Sequence, residues 1–578
     1  MLVLGLNTME NASASLVIDN RIVAAAEEER FTRVKHQEGV PVQAIKYCLS
    51  EAGVRLSDLD IVALGWQPWR LAHRAFHTLK FALSSPRHFI IKARRGTRQV
   101  AGDEWSRMIS LPYKLPALLG EDPGKCKYKF KYIDHHLSHA ASAFYPSPFG
   151  QAAILTLDGA GESACITFSK GDGDKISLLK TIKLPHSLGH LYSAVTGFLG
   201  FRMCSGEGKV MGLAPYGNDK YPEFFKRMIR LEDDGGLKID FRILDYHLAQ
   251  ENIFLTEAIK ELGAPREPEG PIDDRHKDIA CSLQIALEKA VLHLAEHLHR
   301  STGVDTLCLA GGVALNATMN RRLLELSPFK RIFVQPASSD AGTALGAALA
   351  AAPPANAEQR QPINNVFLGP GFKDDEIEKA IEGKGLKAIR RPDIAMAAAE
   401  LLAKRRVVGW FQGRMEFGPR ALGSRSILAD PRLAEMKDIV NERVKHRENF
   451  RPFAPSALAE RAEELFVAPV ETPFMTQIVP VKDSAKPLIP AVVHVDGTAR
   501  LQTVVREANP LFYELIEKFS GLTNVPVVLN TSFNVRREPI VCAPKDALDC
   551  YLKTEMDALA IGNFLLAKKS EDLASVRK

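Results

Sequence analysis

The sequence predicts an α/β protein of two domains, and three observations carry that expectation. A strand, polar turn and hairpin pattern occurs twice in the first half of the chain. Apolar runs of strand length alternate with helical stretches throughout. A stretch rich in Pro, Ala and polar residues, Ala351–Pro362, then marks a change of composition, so the expected domains are 1–352 and 353–578. At 578 residues the chain is too long for one ordinary core.

The bulk composition excludes several classes. A net charge of +6 is small for this length; it does not mark a nucleic-acid binder but is compatible with anionic small substrates. Eight scattered cysteines include no CxxC pair, so there is no zinc-thiolate signature, and their low density suits a reducing compartment. The start, Met1–Asn7, has no basic n-region, and no apolar run reaches the roughly 20 residues a membrane helix needs. The expectation is a cytoplasmic protein without a membrane span.

Taken in order, Leu2–Leu6 reads as a buried strand, and Ser13–Ile18 with Arg21–Ala26 as a hairpin about Asp19-Asn20. The plan recurs as the strand Ala152–Leu157, the turn Asp158–Gly161, and a hairpin of Ala164–Ser169 with Ile176–Thr181. Such a repeat implies an internal duplication, and two such halves facing a cleft is the plan of the actin-like and sugar-kinase nucleotide-binding fold. After the first hairpin, Glu27–His36 reads either as a solvated charged loop or, through Arg30, Arg33, Lys35 and His36, as an anion site. Residues 66–115 are rich in aromatics and bases; they read as a solvated helical insertion or as a basic amphipathic surface for a membrane, a partner or a second substrate.

Asp134–Ala143 follows a predicted strand, Tyr128–Ile133, and its Ala run favours helix. His135 and His139 at i and i+4 then share one face, a common way to present two imidazoles to one metal. Asp158, at the end of the strand Ile154–Leu157, can complete a two-His-carboxylate set of the kind that suits Fe(II) and other divalent ions. The alternative is that these histidines form only a polar helix start. Ser205–Ala214, with Gly208 and Lys209, is glycine-spaced but lacks the GxxxxGK[ST] pattern of a Walker loop. The amphipathic helix Asp278–Arg300 leads to the strand Leu307–Ala310 and the Gly311-Gly312 turn, where backbone N–H groups can face a ligand. Ile332–Val334 is another strand. Asp340, ahead of the helix Ala344–Ala352, is either an N-cap or a second metal carboxylate.

In the second domain a helix (Ala395–Lys404) and a strand (Val407–Phe411) precede Gln412–Ser426, with Arg414, Arg420 and Arg425 among three glycines. Lys445–Ser456, Arg500–Val504 and Val528–Asn534 add further bases and polar turns. Arginines set in Gly/Pro-structured turns suit a phosphate or carboxylate cradle, because guanidinium is a planar fork of donors.

Together these stretches resemble the NodU-type and antibiotic-biosynthesis O-carbamoyltransferase family over nearly the whole chain. The resemblance rests on HHLSHAAS (135–142), LDGAGE (157–162), AGGVALNATMN (310–320), ASSDAGTALG (337–346), GRMEFGPRALGSRS (413–426), FRPFAPS (450–456), RLQTV (500–504) and LNTSFN (529–534). It implies a duplicated actin-like N-terminal domain and an α/β C-terminal domain resembling threonylcarbamoyl-AMP synthase. It further implies an enzyme that forms carbamoyl-adenylate from carbamoyl phosphate and ATP (with Mg). The carbamoyl group then passes to a hydroxyl of a natural product or sugar, as in secondary metabolism. By position, His135, His139, Asp158 and Asp340 would ligate a metal, usually iron; Gly208, Lys209, Gly311, Gly312, Asn316 and Asn320 would meet the nucleotide; Arg420, Lys445, Arg451, Arg500 and Asn530 would bind carbamoyl phosphate; and Lys35 would be catalytic. A homodimer is a possible assembly, and no nucleic acid is expected. The sequence departs from the family at Glu10-Asn11, where many members carry His-Asp. The competing readings are a tRNA threonylcarbamoyl transferase, which would need an extended basic RNA surface, and a non-catalytic actin-like ATP-binding protein, which would leave the HxxxH and arginine motifs without a purpose.

Overall fold

A computed structural model of the chain describes residues 1–70, 100–241, 243, 256–467 and 471–574. Most of the basic aromatic region expected at 66–115 lies outside the described residues; Val100–Leu119 is helix. The chain forms two compact units: Met1–Ala25 with Glu38–Pro362, and Ala26–Gln37 with Ile363–Lys578.

The first unit contains two five-stranded sheets. One is built from β1 (Leu2–Asn7), β2 (Ser13–Ile18), β3 (Arg21–Glu27), β4 (Ile61–Leu64) and β5 (Lys129–Tyr132), in the order β3-β2-β1-β4-β5. The other uses β6 (Gln151–Leu157), β7 (Ala164–Asp172), β8 (Lys175–Lys183), β11 (Thr306–Ala310) and β12 (Arg331–Val334), in the order β12-β11-β6-β7-β8. β9 (Ile229–Leu231) and β10 (Leu237–Ile239) form a separate pair. Numbered within each half, both sheets read third, second, first, fourth, fifth strand. In both, the first strand pairs antiparallel with the second and parallel with the fourth. The duplication expected from the hairpin repeat is therefore present in strand order and direction, and the first unit has the duplicated actin-like plan. The second hairpin is longer than predicted, closing at Gly173-Asp174.

Each half ends its sheet with a helix of small residues, His135–Phe144 after β5 and Ala341–Ala351 after β12. These helices pack on each other, with Ala140, Ala141, Phe144, Leu345 and Ala348 in one core cluster. Gly346 permits the approach: a Cβ there would lie 1.7 Å from the Ser138 carbonyl oxygen. The close crossing carries the first residue before the second helix, Asp340, to the histidines of the first.

The second unit is organised by an eight-stranded mixed sheet of order β13-β22-β21-β14-β15-β20-β16-β19. Its strands are β13 (Ile389–Arg390), β14 (Val408–Phe411), β15 (Arg425–Ala429), β16 (Ala454–Leu458), β19 (Gln502–Val504), β20 (Val527–Ser532), β21 (Ala558–Ile561) and β22 (Phe564–Ala567). β17 (Val479–Pro480) and β18 (Thr498–Ala499) pair separately. Helices Ile394–Ala403 and Pro510–Thr523 contribute to one apolar core with Trp410, Phe512, Phe519 and Val528.

Two expectations about the chain path are corrected. The compositional linker does not separate the units at 352; residues up to Pro362 stay with the first. The cause is Arg360, whose guanidinium donates to the carbonyls of Phe144, Tyr145, Ser147, Phe149 and Gly150 and stacks 4.0 Å over the Phe144 ring. Of the two readings open for 27–36, a solvated loop does not hold for its first four residues: Glu27, Glu28, Glu29 and Arg30 are buried, whereas Thr32, Val34 and Lys35 are exposed, and the segment belongs to the second unit. Arg30 pairs with Glu27 at 2.6 Å and donates to Gly418 O, while Arg33 donates to the carbonyls of Pro539 and Ile540.

Candidate metal and anion sites

The strand-turn-helix segments of the first unit bring the predicted ligand set together. Asp134 caps the His135–Phe144 helix by accepting from Leu137 N. His135 and His139 project from one face with Nε2 atoms 3.1 Å apart. Asp158 follows β6; its Oδ2 lies 3.4 Å from His135 Nε2, and its Oδ1 accepts from Gly312 N at 2.9 Å. That second bond depends on the β6–β11 pairing and on Gly311, whose φ of 91° is left-handed and where a Cβ would lie 2.2 Å from Leu157 O. Asp340 makes no helix-capping bond with its side chain; its Oδ1 is 3.7 Å from both Nε2 atoms. Ligand atoms from all four residues lie within 4.8 Å of one another.

This donor set fits a divalent ion. Two imidazole nitrogens and two carboxylates converge with lone pairs available to one ion, and the two carboxylates balance a dication. The Nδ1 atoms of both histidines are buried without a partner. Burial opposes charge on His135, yet Asp340 and Asp158 raise its pKa to about 9. Burial likewise opposes the Asp158 anion, but His135, His139 and the Gly312 N–H hold it well below the usual carboxylate range. His136, the third histidine of the motif, is structural: Nε2 donates to Ala164 O at 3.0 Å and Nδ1 meets Thr156 Oγ1 at 2.7 Å.

The nucleotide candidates divide. Gly311 and Gly312 form the turn beside Asp158. Asn316 caps the Ala317–Leu326 helix and exchanges hydrogen bonds with Gln284, while Asn320 donates to Ala314 O. Gly208 and Lys209 lie inside a short helix, Glu207–Leu213, with the Lys209 ammonium 5.2 Å over the Phe201 ring. Glu10 was legible only as a departure from a motif. In the fold, burial and then the Asp340 and Asp158 carboxylates push its carboxyl up to about 8.

In the second unit the arginines of one motif have different fates. Arg425 is fully buried; its guanidinium donates to the carbonyls of Gln412, Gly413, Ser424, Pro370 and Cys542 and stacks 3.7 Å from the Phe411 ring centre. Arg414 donates to Leu368 O and Gly369 O. Glu416 Oε1 gathers the N–H groups of Leu422, Ser424 and Arg425. These three residues hold the turn that carries Arg420.

Arg420, Arg451, Arg500 and Arg447 form a like-charged group. Burial, then Arg451, lowers Arg420 to about 10. Arg500 falls well below its ordinary value through burial and then Arg420, Arg447 and Arg451. The Arg451 and Arg500 side chains make no hydrogen bond or ion pair among the described residues, and Arg500 Nε is buried without a partner. Arg447, which the motif reading passed over, is held by Asn441 Oδ1 at 2.7 Å and lies 4.6 Å over Phe453. Lys445 is differently engaged: its ammonium donates to Ser532 O, Asn534 O and Asn534 Oδ1 at 2.6–2.7 Å, and burial, then Arg447, drives its pKa well down. Lys35 adds to that depression, so its charge is felt at Lys445. Asn530, on β20, donates to the groups around Ala421, Ser456 and Gln502.

A duplicated actin-like unit with a two-His, two-carboxylate centre, in a chain whose second unit gathers a like-charged group of buried arginines, defines a class of enzyme acting on anionic substrates. Residues 2–349 match the family described as Carbamoyltransferase N-terminus and residues 399–568 match Carbamoyltransferase C-terminus. The chain is 42% identical to an uncharacterized protein of Synechocystis, covering 97% of this chain and 95% of that protein. It is also 42% identical to the nodulation protein NolNO of Sinorhizobium fredii (97% and 79%), and 43% identical to the nodulation protein NolO of Bradyrhizobium diazoefficiens (76% and 80%). The chain belongs to the carbamoyltransferase family and is an enzyme that transfers carbamoyl groups. Among the described residues no helix is long and apolar enough to cross a membrane.

Proposed function

We propose that the chain is an ATP-dependent O-carbamoyltransferase that activates carbamoyl phosphate as carbamoyl-adenylate and delivers the carbamoyl group to a hydroxyl of a small natural product or sugar. The observation that carries this reading is the buried arginine group Arg420, Arg447, Arg451 and Arg500; burial and then neighbouring members of the group lower the pKa values of Arg420, Arg447 and Arg500. Guanidiniums so placed call for a multiply charged anion, and carbamoyl phosphate is a small dianion. Arg420, Arg451 and Arg500 bind and orient its phosphate. Lys445 fixes the Ser532–Asn534 turn, and Lys35 supplies positive charge beside it.

The balance of the reaction follows from the reactants. Water splits carbamoyl phosphate into carbamate and phosphate. The carbamate oxygen attacks the α-phosphorus of ATP and pyrophosphate leaves. The acceptor oxygen then attacks the carbamoyl carbon, loses its proton and displaces AMP. Adenylation is needed because carbamate alone is a poor electrophile.

Transfer is assigned to the first unit. His135, His139, Asp158 and Asp340 would hold Fe(II) or another divalent ion, and Gly311 and Gly312 present backbone beside it. When bound, such an ion supplies positive charge against phosphate oxygens and against the oxyanion that develops on the carbamoyl group. The test is incubation with carbamoyl phosphate, ATP and a library of hydroxyl compounds. A mass gain of one carbamoyl group that requires both cosubstrates supports the reading, and transfer without ATP contradicts it.

A further inference from the structure

We propose that Glu27 and Arg30 are positioning residues of the second unit: together they grip the N–H and the C=O of Gly418 and so set where the Arg420 guanidinium stands. The proposal rests on the reading of Arg420 as a carbamoyl phosphate ligand, and it adds a pair of side chains that act through that arginine.

The turn that carries Arg420 needs outside support. Gly418 sits at φ 119°, in the region that residues with side chains avoid, and Pro419 brings no N–H to a hydrogen bond. Beyond Arg420 the turn is tied down by Glu416, whose Oε1 collects the N–H groups of Leu422, Ser424 and Arg425. Ahead of Arg420, Phe417 N donates to Val366 O at 2.9 Å or less, and Gly418 is held by Arg30, 388 residues earlier in the chain. Arg30 Nη2 donates to Gly418 O at 2.8 Å and lies 2.6 Å from Glu27 Oε2, so the two hydrogens of one nitrogen serve the carbonyl and the carboxylate. The Gly418 N–H donates to the Glu27 carboxylate. Glu27, Arg30 and Gly418 thus close a hydrogen-bonded ring just ahead of Pro419 and Arg420. The segment that supplies the pair is itself anchored. Glu29 Oε1 lies 3.7 Å from Arg30 Nη1, Glu29 Oε2 accepts from His36 N at 2.8 Å, and Arg33 donates to Pro539 O and Ile540 O.

Stability alone does not account for this ring. Glu27 and Arg30 are 5% and 3% exposed. Taking two charges out of water offsets most of their attraction, and apolar residues of the same volume commonly do as well or better. Apolar residues cannot receive an N–H and supply a donor to a carbonyl at one glycine. The ring gives the turn one geometry, and the guanidinium that follows inherits it. An anion clamp needs this, because Arg451 repels Arg420, and the place of Arg420 has to be imposed through its backbone.

The experiment is a double-mutant cycle read by calorimetric titration of the full-length protein with inorganic phosphate and freshly dissolved carbamoyl phosphate. The proteins are wild type, Arg30→Met, Arg420→Ala and the double variant, with Glu27→Gln as a milder change to the same ring. Arg30→Met should weaken carbamoyl phosphate binding roughly tenfold, the weight of one charge-assisted hydrogen bond, and Glu27→Gln should weaken it less. In the Arg420→Ala background Arg30→Met should change the affinity by no more than about twofold, since residues that act through one another are not additive. The same loss in both backgrounds overturns the proposal, because a general structural defect would give it. Wild-type affinity in a folded Arg30→Met protein, or in Glu27→Gln where Arg30→Met does not fold, overturns it too and leaves the anion site standing. If neither variant folds, the ring is a folding element and the proposal is overturned. If wild type binds neither ligand, or Arg420→Ala binds both as wild type does, the carbamoyl phosphate reading of Arg420 falls and the proposal with it.

Discussion

The Nε2 atoms of His135 and His139 lie 3.1 Å apart, facing each other across the Asp158 and Asp340 carboxylates. The first prediction follows from that pair. His135→Ala or His139→Ala should lose the divalent ion, with an affinity loss exceeding the roughly 10–100-fold that outer partners of a metal site cost. Elemental analysis of the purified variants checks this, and full metal content in both would remove the assignment.

Arg420→Lys and Arg451→Lys keep the charge and lose the fork. A guanidinium grips two phosphate oxygens in one plane and an ammonium does not. Each substitution should lower kcat/KM for carbamoyl phosphate roughly ten- to a hundredfold, the equivalent of one charge-assisted hydrogen bond. Transfer from preformed carbamoyl-adenylate should be nearly unchanged. Equal losses in both half-reactions would show that these arginines are not a dedicated anion clamp.

Arg360 has a purely structural prediction. Its guanidinium serves backbone carbonyls between Phe144 and Gly150. Buried acceptors left without donors cost about 1–3 kcal/mol each, so Arg360→Ala should destabilise the first unit by roughly 3 kcal/mol or more. Urea denaturation measures this; a change below about 0.5 kcal/mol would mean that the carbonyls find other donors.

How much of this was legible varies by residue. The cluster that could hold a metal was readable because an i, i+4 pair on a helix and a carboxylate at a strand end are local patterns. Asp340 remained ambiguous between cap and ligand, since only the close helix crossing at Gly346 brings it to the histidines. The second unit was legible as a charge pattern but not as a division of labour. Arg414, Arg420 and Arg425 are alike in sequence, and only the fold shows that backbone carbonyls converge on Arg414 and Arg425. The unit boundary falls at the end of the Ala351–Pro362 stretch rather than at 352, because composition does not report a single side chain, Arg360, that reaches back to another element. The charged run at Glu27–Arg30 misled for the converse reason: charges that pair with one another can be buried.

His494 gives a pH dependence. Burial, and then Arg500 and Lys437, lower its pKa from 6.5 to about 4, against an opposing pull from Asp496. The folded state therefore binds fewer protons than the unfolded state between those values. Its contribution to stability is complete above about pH 6.5 and is lost as the pH falls towards about 4. In His494→Gln the stability-against-pH curve should be flatter over that window; an unchanged slope would contradict the buried neutral imidazole.

The most direct test of the account is exchange of labelled pyrophosphate into ATP by the full-length, metal-loaded protein, with and without carbamoyl phosphate and with no acceptor present. The account predicts exchange that depends on carbamoyl phosphate and falls sharply in Arg451→Lys. Carbamoyl transfer to an acceptor without any such exchange or pyrophosphate release would contradict activation through an adenylate.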